Sequence, residues 1–361
     1  MQIKPPDAPL QGDEAARIRP RLVQVENFLE VSKTRAAYGV TGHGQTVAVL
    51  DTGINEKHRD FGSRILARRD FTKGGGEKGY GDAPDGNGHG TNVAGIIAAD
   101  GMHTGIAPEA NIISLKVISD HDGGNFTWLN NALRWVLANH KMFGISVICM
   151  SLGDGENYTS DNLDSIGIAS ETSGLINELA EARVTTVIAA GNDYHKYKEQ
   201  GMSFPAILGN CISVGAVYDS NEGSFEYQSG AKAFSTKAGQ ITPFSQRLHH
   251  SQSRWVYTKI FAPGAPITST GIDGTDTSST QHGTSQATPV VCGVILLIQQ
   301  FMMRELGWRS SVQEIRDFLS FGGVTIYDGD DENDNVPHTG QMYKRVDPLG
   351  ALYEARRSIL Q

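Results

Sequence analysis

The sequence predicts an α/β fold, a doubly wound and mostly parallel sheet with helices on both faces. Three observations predict it. First, five short apolar runs do not alternate: 46–50 (TVAVL), 112–118 (IISLKVI), 145–150 (ISVICM), 185–190 (TTVIAA) and 211–217 (CISVGAV). They are rich in β-branched residues, as expected of strands covered on both sides. Second, helical patterns lie between them: TNVAGIIAA, WLNNALRWVLANHK and GLINELAEARV. In the second of these, Trp128, Leu129, Ala132, Leu133, Trp135 and Val136 form one apolar face at helical spacing. Third, strand–helix alternation calls for right-handed crossovers between parallel strands. A long helix over 284–300 and another near 310–320 add to the layers.

The bulk properties narrow the function classes. The chain has 361 residues, 39% hydrophobic and 20% charged, an ordinary globular composition. Its net charge of −9 argues against a general nucleic-acid surface. No 18-residue apolar run is evident, so no membrane partner is expected. The first twenty residues carry no apolar signal core, which favours an intracellular location; a secreted mature form is the alternative if a leader was removed. Cys149, Cys211 and Cys292 each sit in an apolar run and read as buried free thiols. Residues 1–25 read as a polar, proline-containing extension and 26–361 as one domain. Residues 219–259 lack periodicity and read as a long surface excursion.

In open α/β sheets ligands bind beyond the carboxyl ends of the strands. There the sequence places Asp51-Thr52-Gly53, Ser151-Leu152-Gly153 and Gly191-Asn192. Two loop-to-helix junctions add His89, in DGNGHGTNVAG, and Ser285, in QHGTSQATP. Taken singly, Asp51 and Asn192 read as turn residues and Ser285 as a helix cap. Taken together, the four make a complete set for acyl transfer. A serine hydroxyl needs a base to take its proton. Histidine titrates near neutrality and suits that role, which predicts an acid limb with a midpoint of about 6–7. A buried carboxylate orients the imidazole and stabilises its charge. An Asn amide and the nucleophile's own N–H can hold the oxyanion.

These stretches (VAVLDTGI, DGNGHGTNVAG, SLG, AAGN and HGTSQATP) resemble the subtilisin-like serine proteases, the peptidase S8 family. The resemblance spans roughly residues 25–355 and includes APGAPITST and YKRVDPLGALYEA. The order Asp, His, Ser is the one known for subtilisin, so it belongs to the resemblance. The likeness implies a subtilisin-like three-layer fold over 26–361 and a serine endopeptidase acting on peptides or proteins. It implies Asp51, His89 and Ser285 as the catalytic triad and Asn192 as the oxyanion donor. It also implies that Asp122-Gly123-Gly124 and Ser151-Leu152-Gly153 sandwich an extended peptide, with Ser203 near the floor of a roomy, mostly apolar pocket walled by Leu152.

The chain departs from the family pattern in four places. Gln286 follows the nucleophile where the family usually has Met, and Asn92 stands where it usually has His. The segment 99–110 is shorter than the loop that holds a structural calcium in calcium-binding relatives, so that site is expected to be missing. No large N-terminal prodomain is seen, and residues 1–25 are a candidate inhibitory prosegment. The chemistry requires no cofactor. The acidic run Asp328–Asn335 is oxygen-rich, but its spacing is not that of an EF-hand, and a solvated loop is favoured over a calcium site. Two other functions stand beside hydrolysis. One is a peptide transferase or macrocyclase, with 219–259 as a water-excluding lid. The other is an inactive peptide-binding module. Substrate, cleavage preference and oligomeric state are not legible.

Overall fold

The computed structural model describes residues 1–4, 22–163, 167–254, 256–329 and 332–360. Its centre is a nine-stranded sheet. In chain order the strands are β1 (Thr46–Asp51), β2 (Ile65–Asp70), β3 (Asn111–Lys116), β4 (Ile145–Met150), β5 (Thr185–Ala189), β6 (Cys211–Tyr218), β7 (Ile260–Ala265), β8 (Val324–Asp328) and β9 (Gln341–Arg345). In space they run β8-β9-β7-β6-β5-β4-β1-β3-β2. Only the β8–β9 pair is antiparallel.

Alternate residues of the central strands serve two separate cores. Val47 and Val49 of β1 face one layer, with Val147, Cys149, Val187 and Val214. Ala48 and Leu50 face the other, with Ile148, Met150 and Ile188. The first core is closed by the helices His89–Ala98 and Thr284–Leu306, and the second by Phe126–Phe143 and Gly167–Glu181. The central strands β1, β4, β5 and β6 therefore bury both faces, which is why their apolar runs do not alternate. All five expected strands are present. The added strands explain their own concealment: β2 reads ILARRD because it is a partly exposed edge, and β7 reads IFAPGA, with Pro and Gly inside it.

The helix Thr284–Leu306 is long and apolar enough to cross a membrane, and 89% of its apolar window lies inside the protein. It is the central helix of the first core, although no such run is evident from the bare sequence. Pro289 is the sixth residue of this helix. Its missing N–H leaves the Ser285 carbonyl without its i+4 donor. The Ser151 hydroxyl takes that place, donating to Ser285 O at 2.7 Å.

The segment 219–259 is not one surface excursion. Residues 240–249 are buried without a break. Their polar groups are spent inside. Ser245 Oγ accepts from the Ala216 N–H at 3.0 Å, and the Gln246 N–H donates to Gly191 O at 2.9 Å. Arg247, fully buried, pairs with Asp328 at 2.9 Å and lies over the Tyr194 ring. A polar sequence in irregular backbone imitates a loop when its hydrogen bonds are internal. Asp328, the first residue of the acidic run, is thus a buried partner of Arg247 and also accepts from Thr339 N at 3.0 Å. Residues 5–21, most of the expected extension, lie outside the described residues. The body of the fold begins by Leu22 and Val25, both buried in the first core.

Candidate active site

Asp51 ends β1 at the carboxyl edge of the sheet and is 1% exposed. Its Oδ1 accepts from His89 Nδ1 at 2.8 Å and from the Thr52 N–H at 2.7 Å. A carboxylate accepts only, so this bond puts the imidazole proton on Nδ1 and makes Nε2 the basic nitrogen. His89 is the first residue of its helix and is itself buried. Gly90 allows the approach, since a Cβ there would lie 2.4 Å from Gly53 O and 3.2 Å from Asp51 Cβ.

A residue not expected from the sequence holds the His89 loop. Asp85 accepts from Thr52 Oγ1 (2.9 Å), Asn87 N (3.1 Å), Gly88 N (2.8 Å), Thr91 N (2.8 Å) and Thr91 Oγ1 (2.6 Å). It does for this helix what an N-cap does, from four residues upstream of the histidine. The only signal was the Asp-Gly-Asn-Gly turn itself. Buried Lys116 completes the support, donating to Thr52 O and to Pro84 O at 3.1 Å.

Ser285 is the second residue of its helix and is partly exposed. Its Oγ donates to Ser151 O at 3.2 Å. Asn192 follows β5. Its Oδ1 accepts from the Thr284 N–H and from Thr284 Oγ1, both at 2.9 Å. A backbone N–H can only donate, so the oxygen end of the amide is fixed and Nδ2 is the end left to face other partners. Gly191 Cα backs onto the buried segment: a Cβ there would lie 1.9 Å from Gln246 Oε1. Thr284 and Gln246 are therefore two further residues that hold Gly191-Asn192 and that sequence reasoning missed.

The expected substrate residues converge in part: Asp122, Gly123 and Gly124 are not among the residues lining the cleft that the others share. Ser151, Leu152, Gly153, Asn192, Ser203 and Ser285 line one cleft of about 440 Å³. Ser203 is fully buried with its Oγ 3.2 Å from Ala190 O, and a Cβ on Gly153 would lie 2.5 Å from that hydroxyl. The lining is not mostly apolar: serines, Asn192, Asp193 and glycine backbone alternate with Leu152 and Ile118. Asp154 accepts from Phe204 N (3.0 Å) and Tyr158 Oη (3.0 Å), and burial raises its pKa.

The cleft holds the chain's own beginning. Gln2 and Ile3 pair antiparallel with Asn125 and Gly124. On the other side the Lys4 N–H donates to Gly153 O at 2.9 Å, and Lys4 Nζ lies 3.1 Å from Asp193 Oδ1. Ile3 is 1% exposed. Residues 2–4 thus lie as a strand between Gly124–Asn125 on one side and Gly153 on the other, so of the expected segment 122–124 it is Gly124 that takes part in the pairing.

Among the described residues, two groups of side chains have the composition to hold a metal ion, each with ligand atoms within 4.8 Å: His58, Asp60 and His103, and Asp328, Glu332 and His338. The first is already closed by hydrogen bonds. Asp60 accepts from the N–H groups of Met102 and His103, both at 2.9 Å, and from His103 Nδ1 at 2.6 Å. This set ties the short 99–110 segment directly to the body.

The fold and site define a serine-peptidase class: a carboxylate–imidazole pair, an amide and a serine at one edge of a parallel α/β sheet. The chain belongs to the Subtilase family (Peptidase_S8), whose model matches residues 42–320. It is 30% identical over 285 residues to the major intracellular serine protease of Bacillus subtilis (strain 168), covering 77% of this chain and 76% of that one. To an intracellular serine protease of Paenibacillus polymyxa it is 28% identical, covering 77% and 73%. To subtilisin E of Bacillus subtilis (strain 168) it is 30% identical, covering 78% of this chain and 61% of that one. Among solved structures it is similar to a cold adapted subtilisin-like serine proteinase, with a TM-score of 0.60 and 26% identity, covering 87% and 90%. The enzyme is accordingly a hydrolase of the subtilisin-like serine proteases.

Proposed function

We propose that the protein is a serine endopeptidase in which Asp51, His89, Ser285 and Asn192 carry the chemistry. Ser285 Oγ attacks the scissile carbonyl while His89 Nε2 takes its proton. Asn192 Nδ2 and the Ser285 N–H stabilise the oxyanion. His89 then gives the proton to the leaving amine, and water repeats the sequence on the acyl-enzyme. The single observation that carries this reading is the Asp51–His89 bond at 2.8 Å, which fixes the tautomer the base requires. The strand-like seating of residues 2–4 supports an extended peptide as substrate, held chiefly through its main chain. The same seating supports an inhibitory role for residues 2–4 of the expected 1–25 extension, since a substrate would need the edges that Ile3 and Lys4 occupy.

Hydrolysis is favoured over ligation because the middle of 219–259, the segment expected to supply a lid, is packed in the interior over residues 240–249. The similarity to two intracellular proteases and the three buried free thiols support an intracellular location. Neither the chemistry nor the tie between Asp60 and 99–110 calls for a cofactor, and calcium at the acidic run remains the weaker reading. The test is the mass of products from a defined peptide carrying a free amine. Fragments that add one water support the proposal; ligated or cyclic products without added water overturn it in favour of a transferase.

A further inference from the structure

The two departures flanking the catalytic motifs, Asn92 and Gln286, are not independent. They meet in one buried amide network. Gln286 Nε2 donates to Gln281 Oε1 at 3.0 Å and reaches Asn92 Oδ1 at 3.5 Å. Gln281 Nε2 donates to Ser279 Oγ at 3.1 Å and reaches Gly88 O at 3.4 Å. Asn92 Nδ2 donates to Ser279 O at 2.9 Å and Ser279 Oγ at 3.0 Å. Asn92, Gln286 and Gln281 are 0%, 1% and 5% exposed.

The position of each member matters more than the number of bonds. Gly88 immediately precedes the base, and Asn92 lies one turn beyond it on the same helix. Gln286 immediately follows the nucleophile. Gln281 ends the strand Ser278–Gln281, which leads through His282 and Gly283 into the Ser285 helix. The network therefore grips the chain before and after His89, and before and after Ser285. Apolar side chains at 92 and 286 would fill the space but would not fix a distance, because dispersion contacts have no direction. Amides that must all be satisfied admit one arrangement.

We propose that Asn92, Gln281 and Gln286 form a positioning unit that sets His89 against Ser285. They do not touch substrate. The inference rests on the reading of Ser285 as nucleophile and His89 as base. It predicts that loss of one member lowers the rate of chemistry and leaves binding alone, since the cleft edges at 122–124 and 151–153 are untouched. It also predicts that 92 and 286 are coupled: once one amide is gone, removing the other costs little more.

The test compares Gln286→Met, Asn92→Leu and the double variant with wild type on a short chromogenic peptide. Melting temperature is followed to confirm folding, and the active enzyme is counted by titration with a phosphonate. Each single change should lower kcat per active site by about tenfold or more, with KM within about twofold. The double variant should be no worse than the weaker single. Gln286→Asn, which keeps the amide but draws it back by one methylene, should fall with Gln286→Met and gives the same reading if that variant does not fold. Wild-type kcat in the folded singles, or losses that multiply in the double, overturns the proposal. Ser285→Ala is run beside them: if it keeps full activity, the reading of the nucleophile fails rather than the network.

Discussion

Ser151 and Ser285 are hydrogen-bonded to each other twice, each hydroxyl to the other's carbonyl, at 2.7 and 3.2 Å. The bond from Ser151 exists because Pro289 cannot supply an N–H to Ser285 O. A proline in the Ser285 helix thus calls for a hydroxyl on the neighbouring segment 151–153. The wall of the cleft and Ser285 are joined by the repair of one orphan carbonyl.

Removing that hydroxyl should show in both stability and rate. Ser151→Ala leaves the part-buried Ser285 carbonyl without this donor, a cost of at most about 1–3 kcal/mol. Denaturant unfolding should report a loss in that range, and kcat on a short peptide should fall. Unchanged stability would mean that the carbonyl finds another donor.

The occupied cleft predicts self-inhibition. Full burial of an isoleucine side chain is worth roughly 1.5–3 kcal/mol, and Ile3 supplies most of the apolar contact of residues 2–4. Ile3→Ala should therefore raise the initial rate on a short peptide by about tenfold or more. Lys4→Glu, which opposes Asp193, should act in the same direction by a smaller factor because that pair is half exposed. Equal initial rates for wild type and Ile3→Ala would rule out competition by this segment.

Asp60 predicts an acid-sensitive anchor. Burial alone would raise its pKa, but the backbone and side-chain hydrogen bonds from His103, the Met102 N–H and the His103 charge outweigh burial. The carboxyl is held below its ordinary value. Its contribution to stability is therefore complete above the unfolded pKa, near 4, and is lost as pH falls through the lower folded value. The melting temperature of wild type should drop from pH 4 downward. Asp60→Asn should be less stable at pH 5.5 and follow a flatter curve below 4. Parallel curves would contradict the assignment.

Much of the site was legible because the chemistry stands where strands end. Asp51, Ser151 and Asn192 each follow a continuous apolar run, and His89 and Ser285 each open a helix after glycine. The supports were not legible. Asp85 works through five hydrogen bonds that no periodicity encodes, and Gln246 lies in a polar stretch whose burial depends on partners far away in sequence. Asn92 and Gln286 stood out in the sequence as separate oddities. Only the fold brings position 92 against position 286 and turns two departures into one feature.

The central claim is that Ser285 is the nucleophile activated by His89. Its most direct measurement is covalent labelling by a serine-directed fluorophosphonate, with the modified peptide mapped by mass spectrometry. The account predicts one adduct, on Ser285, in wild type, a large loss of labelling rate in His89→Ala, and none in Ser285→Ala. An adduct on another serine, or labelling that persists in Ser285→Ala, would contradict it.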